Sequence, residues 1–184
     1  MENSYLNSVY KQIIYYKGLG DQTFSQLSDE QLFHQVNKES NSIAIIAKHI
    51  AGNMLSRWTN FFTEDGEKEW RNRDDEFINT FASREEVLTY WEKGWNIFLN
   101  TIQSLKDEDL ERIIYIRNQG HTVTEAINRQ ICHYPYHIGQ IVFLGKLLKN
   151  DTWNSLSIPK NNSKAYNQEK FSEQKTRKHF TDDL

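Results

Sequence analysis

Residues 121–148, HTVTEAINRQICHYPYHIGQIVFLGKLL, read as one long amphipathic helix carrying two histidines on a shared face. Thr122 and Glu125 have the spacing of a capping box, in which each side chain satisfies a backbone N–H that the first helical turn leaves free. Beyond them Ala126, Ile127, Gln130, Ile131, Tyr134, Ile138, Ile141, Leu144 and Leu148 recur at steps of three and four, the period of one helical face. A stripe of this width must be covered, and in a chain poor in strand signals the covering elements are other helices.

Three further stretches supply them. The first runs from about Ser4 towards Phe24 with Leu6, Tyr10, Ile13 and Ile14 inward, Gly18 and Gly20 leaving its end open. The second is capped by Asn41 or Ser42, reaches about Phe62, and carries Ile43, Ile46, Ala47, Ile50, Met54, Trp58 and Phe61. The third starts at Ser83, with Glu86 reciprocating the cap, and continues through Val87, Tyr90, Trp91, Trp95, Phe98 and Leu105. Ser28 and Gln31 open a short accessory helix over Leu32 to Val36, and Ile113–Ile116 with His121–Val123 read as a small hairpin about Asn118, Gln119 and Gly120. The expected fold is all-α, a four-helix bundle over residues 1–158, followed by a polar, mobile tail over 159–184. Trp153, Leu156 and Ile158 are expected to pack back on the bundle before Pro159.

Composition agrees. Two Pro and eight Gly in 184 residues are few breakers, and five Trp, nine Tyr and ten Phe furnish an aromatic core although hydrophobic residues total only 38%. A net charge of −3 offers no broad positive field for a phosphate backbone, which argues against a nucleic-acid partner. No apolar run approaches the roughly 20 residues that span a bilayer, and Met1 to Gly20 lacks the zoning of a signal peptide, so no membrane association and a cytoplasmic location are expected. The single cysteine, Cys132, excludes an internal disulfide and any site built from several thiolates. Ligands for a metal would have to be histidine or carboxylate.

His133 and His137, four apart on the helix, lie roughly 40° apart about its axis and can grip one ion. His49 lies among Ile45, Ile46 and Ile50, where a neutral imidazole without a partner would be costly to bury. Facing helices of a bundle core build metal sites from such side chains. Tyr134 stands where a helix-borne glutamate base would follow the first histidine of an HExxH motif, which disfavours a zincin-type protease. Pro135 removes a hydrogen bond to Ile131 and predicts a kink. Asn53 and Arg57 follow His49 at steps of four and can approach the open side of the site as substrate-binding residues, Arg57 being read as largely solvent-exposed. Ten of the sixteen residues from Glu64 to Asn79 are charged and read as a solvated loop, from which Arg71 and Arg73 could meet an anionic substrate and Asp65 or Glu67 could close the metal site. His34, His121 and His179 read as surface residues, and Cys132 as packed.

The segments SIAIIAKHIAGNMLSRW and HTVTEAINRQICHYPYHIGQIVFLGK resemble the DinB-like (YfiT-like) metalloenzymes over roughly residues 4 to 158. The resemblance implies a four-helix bundle of unusual topology in which the second long helix gives one ligand, here His49, and an HxxxH pair on the last gives two, here His133 and His137. It implies a divalent ion, zinc or nickel, a small-molecule substrate in the manner of relatives that are thiol-dependent transferases, and, by analogy, a homodimer. Two chemistries follow as expectations: an open-site hydrolase or thiol transferase, or a structural protein whose fourth ligand closes the site.

Overall fold

A computed structural model describes residues 4–182. Six helices and one hairpin appear in the order α1 (Ser4–Gln26), α2 (Asp29–Phe33), α3 (Ile43–Trp58), α4 (Arg84–Ser104), β1 (Ile113–Ile116), β2 (Gln119–Thr122), α5 (Val123–Lys149) and α6 (Ser163–Ser172). The protein is therefore mostly helical with a two-stranded sheet.

The starts of these helices lie where side chains can cap them. Ser28 and Thr122 form complete capping boxes with Gln31 and Glu125, and Ser42 caps α3 through the Ile45 N–H. At α4 the reciprocity is displaced by one residue: the Ser83 hydroxyl accepts from Glu86 N, while the Glu86 carboxylate accepts from Ala82 N. Two ends differ from expectation besides that of α1, which the sequence leaves open: α2 stops at Phe33 and does not reach Val36, because His34 turns to extended backbone (φ −65°, ψ 126°), and α3 falls short of Phe62. α1 passes through Gly18 and Gly20, and α3 stops at Trp58, because the chain turns through Asn60 at a φ of 48° and carries Phe61 back onto the core.

Long helices touch in the pairs α3 with α4, α4 with α1, α1 with α5, and α5 with α3, which closes a ring around the aromatic core. α3 is the most enclosed: every residue in it except Lys48 is buried, so it presents no solvated face and its apolar stripe is wider than the sequence pattern indicated. Gly94 allows the α3–α4 approach, since a Cβ there would lie 2.7 Å from Ala51 Cα. Trp58, Trp91, Trp95, Phe98 and Tyr134 are fully buried. The polar end of Tyr134 is satisfied: Trp58 Nε1 donates to its hydroxyl at 3.0 Å, and the hydroxyl donates to Asn53 Oδ1 at 3.0 Å.

The hairpin turns one residue earlier than the sequence indicated. Ile116 pairs with Gln119, leaving Arg117 and Asn118 as the turn, with φ of 55° and 58°. Positive φ at both central positions matches a type I′ turn, whose twist suits a hairpin. Asp65 fixes it by accepting from Arg117 N and Asn118 N, both at 2.8 Å, and Gly66 N donates to Tyr115 O at 2.8 Å. The charged connection between α3 and α4 is thus folded against the hairpin instead of standing in solvent. Lys48 draws its far end down, donating to Asp75 O, Ile78 O and Thr80 Oγ1.

The polar C-terminal segment contains α6, which buries no residue. Trp153 lies beside Gly145 and Leu156 near Gly18 and Leu19, whereas Ile158 stays 42% exposed. Among the described residues no helix is long and apolar enough to cross a membrane.

Candidate metal centre

α3 and α5 bring His49, His133 and His137 together, each offering one ligand atom within 4.8 Å of the others. His49 is buried on α3, and the other two are half-buried on α5, which continues as a helix through Pro135. Their rings meet edge to face, with centroids 5.5 Å apart for His49 and His133 and 4.9 Å for His49 and His137. Phe77 stacks on the outer face of His49 at 4.9 Å.

The Nδ1 atom of each ring faces an oxygen acceptor. His49 Nδ1 lies 2.9 Å from Glu76 Oε2, His133 Nδ1 lies 3.2 Å from Gln130 Oε1, and His137 Nδ1 lies 2.8 Å from Gln140 Oε1. Neutral rings so placed carry their proton on Nδ1 and present the Nε2 lone pair inward, the arrangement in which an outer partner orients a metal-binding imidazole. His133 Nε2 and His137 Nε2 are 3.1 Å apart. Two lone pairs at that distance repel unless a proton or cation lies between them. Burial first, then the neighbouring His137, His49, Arg129 and Arg57, lower the pKa of His133 to about 3, so a proton is a poor occupant. Burial also lowers that of His137, against the hydrogen bond with Gln140. Two nitrogens at about 2.1 Å from one tetrahedral ion are roughly 3.4 Å apart, so the donor set fits a divalent metal.

Glu76 is the residue that sequence reasoning missed. It sits in a 3₁₀ turn over Asp74–Phe77, is 4% exposed, and has no local signal, since it is distant in sequence from the histidine it touches. Arg71 holds it with two parallel bonds, Nε to Oε1 at 2.7 Å and Nη2 to Oε2 at 2.9 Å. Burial opposes its ionisation, but the bonds from His49 and Arg71 outweigh this and keep the carboxyl below its usual range. Gly52 makes the approach possible, because a Cβ there would come within 2.9 Å of Glu76 Cδ. Gln130 and Gln140 were legible in principle, each being three residues from a histidine on the same helix.

The two carboxylates considered as closing ligands lie elsewhere. Asp65 binds hairpin amides, and Glu67 accepts from Arg57 at 2.9 Å and Arg71 at 3.1 Å, with Arg117 at 3.3 Å. Arg57 is a correction: it is 6% exposed, not solvated, and donates to Gly66 O as well as Glu67. Arg71, expected in a solvated loop, has a side chain only 3% exposed. Cys132 is exposed, not packed, because it points about 100° away from the histidine face. His34 is exposed, His121 and His179 are half-buried, and none of the three joins the cluster.

A cavity of about 330 Å³ opens beside the histidines. His49, His133, Asn53 and Gln130 line it together with Arg57, Arg71, Arg73, Arg117 and Arg129, so both residues expected to contact substrate, Asn53 and Arg57, face it. A larger groove of about 810 Å³ between α3 and α4, lined by Leu55, Leu88 and Ile97 among others, gathers no histidine and no arginine. The smaller cavity is the one with chemistry in its wall.

No curated protein matches the chain. A match over residues 1–162 shows that the chain belongs to the family described as "Protein of unknown function (DUF1572)".

Proposed function

We propose that the chain is a DinB-like four-helix-bundle metalloenzyme, a metal-dependent hydrolase or thiol transferase acting on a small molecule. His49, His133 and His137 would hold one zinc or nickel ion and leave at least one coordination position open. The observation that carries this reading is the set of three inward-facing imidazoles, each with an oxygen acceptor on its Nδ1. An ion bound there would supply a Lewis acid, polarising a carbonyl or phosphoryl oxygen or favouring the ionised form of a thiol. The chain's own part is to orient the imidazoles through Glu76, Gln130 and Gln140, and to offer Asn53 and Arg57 to the substrate in the adjoining cavity. Among the described residues no carboxylate joins the clustered ligands, which favours the open site over a closed structural one.

An exposed stripe on α5, Tyr136, Phe143 and Leu147, supports a homodimer, and the lone unpaired cysteine is in keeping with work in the reducing cytoplasm. Elemental analysis tests the ligand set: His49→Ala, His133→Ala and His137→Ala should each lose most of about one ion per chain, and His179→Ala none. A cobalt-substituted form should change its spectrum on adding a small thiol or hydroxamate. Full metal content in the His49 variant, or a cobalt spectrum indifferent to both ligands, would overturn the open three-histidine site.

A further inference from the structure

We infer that the cavity beside the histidines selects substrates bearing a compact anionic group, a phosphate or carboxylate, which Arg73, Arg117 and Arg129 receive at its mouth. The inference rests on the metalloenzyme reading for the word substrate, but not for the binding itself. Five arginines from four separate segments line one small space, and among the described residues no acidic one lines it with them. α3 gives Arg57, the folded connection Arg71 and Arg73, the hairpin turn Arg117, and α5 Arg129. A solvated surface disperses like charges; five guanidiniums converging on one concavity in a chain of net charge −3 do the opposite.

The carboxylates nearby do not cancel this field. Glu76 and Glu67 bind Arg71 and Arg57 from behind, and Glu67 also reaches Arg117. Set against these two carboxylates and Asp65, the five guanidiniums keep an excess of two positive charges. Arg73 and Arg129 form no ion pair among the described residues, Arg73 lying over the Phe77 ring at 5.0 Å. Arg57, although 6% exposed, leaves its Nε with no hydrogen-bond partner. A buried donor left unpaired is costly, and an anion in the cavity is the partner of matching charge. Guanidinium forks suit the planar or tetrahedral oxygens of carboxylate and phosphate, which they can bind through two parallel bonds. The volume, about 330 Å³, is at the small end for ligand pockets and fits a metabolite rather than a polymer. With its anionic group on the arginines, such a molecule would meet the metal-binding edge with its other end, since His49 and His133 form part of the same wall.

Calorimetric titration of the full chain with inorganic phosphate and, separately, succinate tests this in zinc-loaded and metal-free protein. At least one anion should bind saturably in both forms, weakening as salt rises; the tighter of the two names the headgroup. Arg73→Gln with Arg129→Gln should weaken it by about tenfold or more, the loss expected from charge-assisted bonds, with metal content and melting temperature unchanged, while Lys160→Gln changes nothing. Both arginines are exposed, so the double variant should fold. Binding seen only with zinc and indifferent to the arginines would mean direct ligation and overturn the inference, as would no saturable binding of either anion. Anion binding intact in a protein that takes up no metal would instead overturn the metalloenzyme reading and leave the anion pocket standing.

Discussion

At the scale of single residues, Glu76 decides how firmly His49 is held. Its carboxylate fixes the ring by one bond and is itself fixed by Arg71 and by the absence of a side chain at Gly52. Glu76→Gln keeps the shape but removes the anionic acceptor that orients the His49 ring, so metal affinity should fall by about 10–100-fold, as for other outer partners of metal-binding histidines. Gly52→Ala should act in the same direction by pushing Glu76 aside. Competition with a chelator measures both, and wild-type affinity in Glu76→Gln would show that His49 needs no anionic support. Neither residue was identifiable from sequence: a glutamate in a run of charges and a glycine inside a helix acquire meaning only when the connection folds onto α3.

At the scale of elements, the α3–α4 pair is set by a small residue against a small residue, Gly94 against Ala51. An exposed Gly→Ala change within a helix gains roughly 1 kcal/mol of propensity. Here the added methyl has no space, and separating the helices should cost about 1–3 kcal/mol, enough for net destabilisation. Urea unfolding of Gly94→Ala would register this as a lower midpoint with an unchanged slope; a raised midpoint would mean that the helices part freely. The helices themselves were legible, because capping residues and steps of three and four are local signals. The stop of α3 at Trp58 was not, since Phe61 continues the apolar rhythm while the backbone turns at Asn60 to place that ring on the core.

At the scale of the whole molecule, acid should loosen the metal-free protein. His133 has its folded pKa lowered to about 3 from an ordinary 6.5, so between those values the unfolded chain binds a proton that the folded chain does not. Folding stability attributable to this group is therefore unaffected above about pH 6.5 and falls as the pH drops towards about 3. Glu76 and Glu67, whose pKa values are lowered in the fold against the effect of burial, lose stabilisation in the same direction. Urea unfolding of chelator-treated protein at pH 8 and pH 5 should show the lower midpoint at pH 5, and equal midpoints would refute the assignment of a neutral, half-buried His133. Association is the second property of this scale. Tyr136, Phe143 and Leu147 are 64%, 67% and 55% exposed along one line of α5. Light scattering after gel filtration should give a dimer, and Phe143→Asp with Leu147→Asp a monomer; a monomeric wild type would remove the dimer from the reading.

Local pattern was enough to find the helical segments, their caps and the three histidines, because each rests on a periodic pattern or on the anomaly of a polar ring in an apolar stripe. The hairpin was legible as an excursion and misread in its turn by one residue. What surrounds the histidines is set by segments far apart in the chain. Arg57 is buried because residues 64–79 fold back over it, Glu76 reaches His49 because Gly52 leaves space, and Arg117 and Arg129 join Arg71 and Arg73 because the hairpin turn and α5 converge there. Periodicity reports which face of an element is inward. It does not report which distant segment will meet that face, and charge at this site is assembled from such segments.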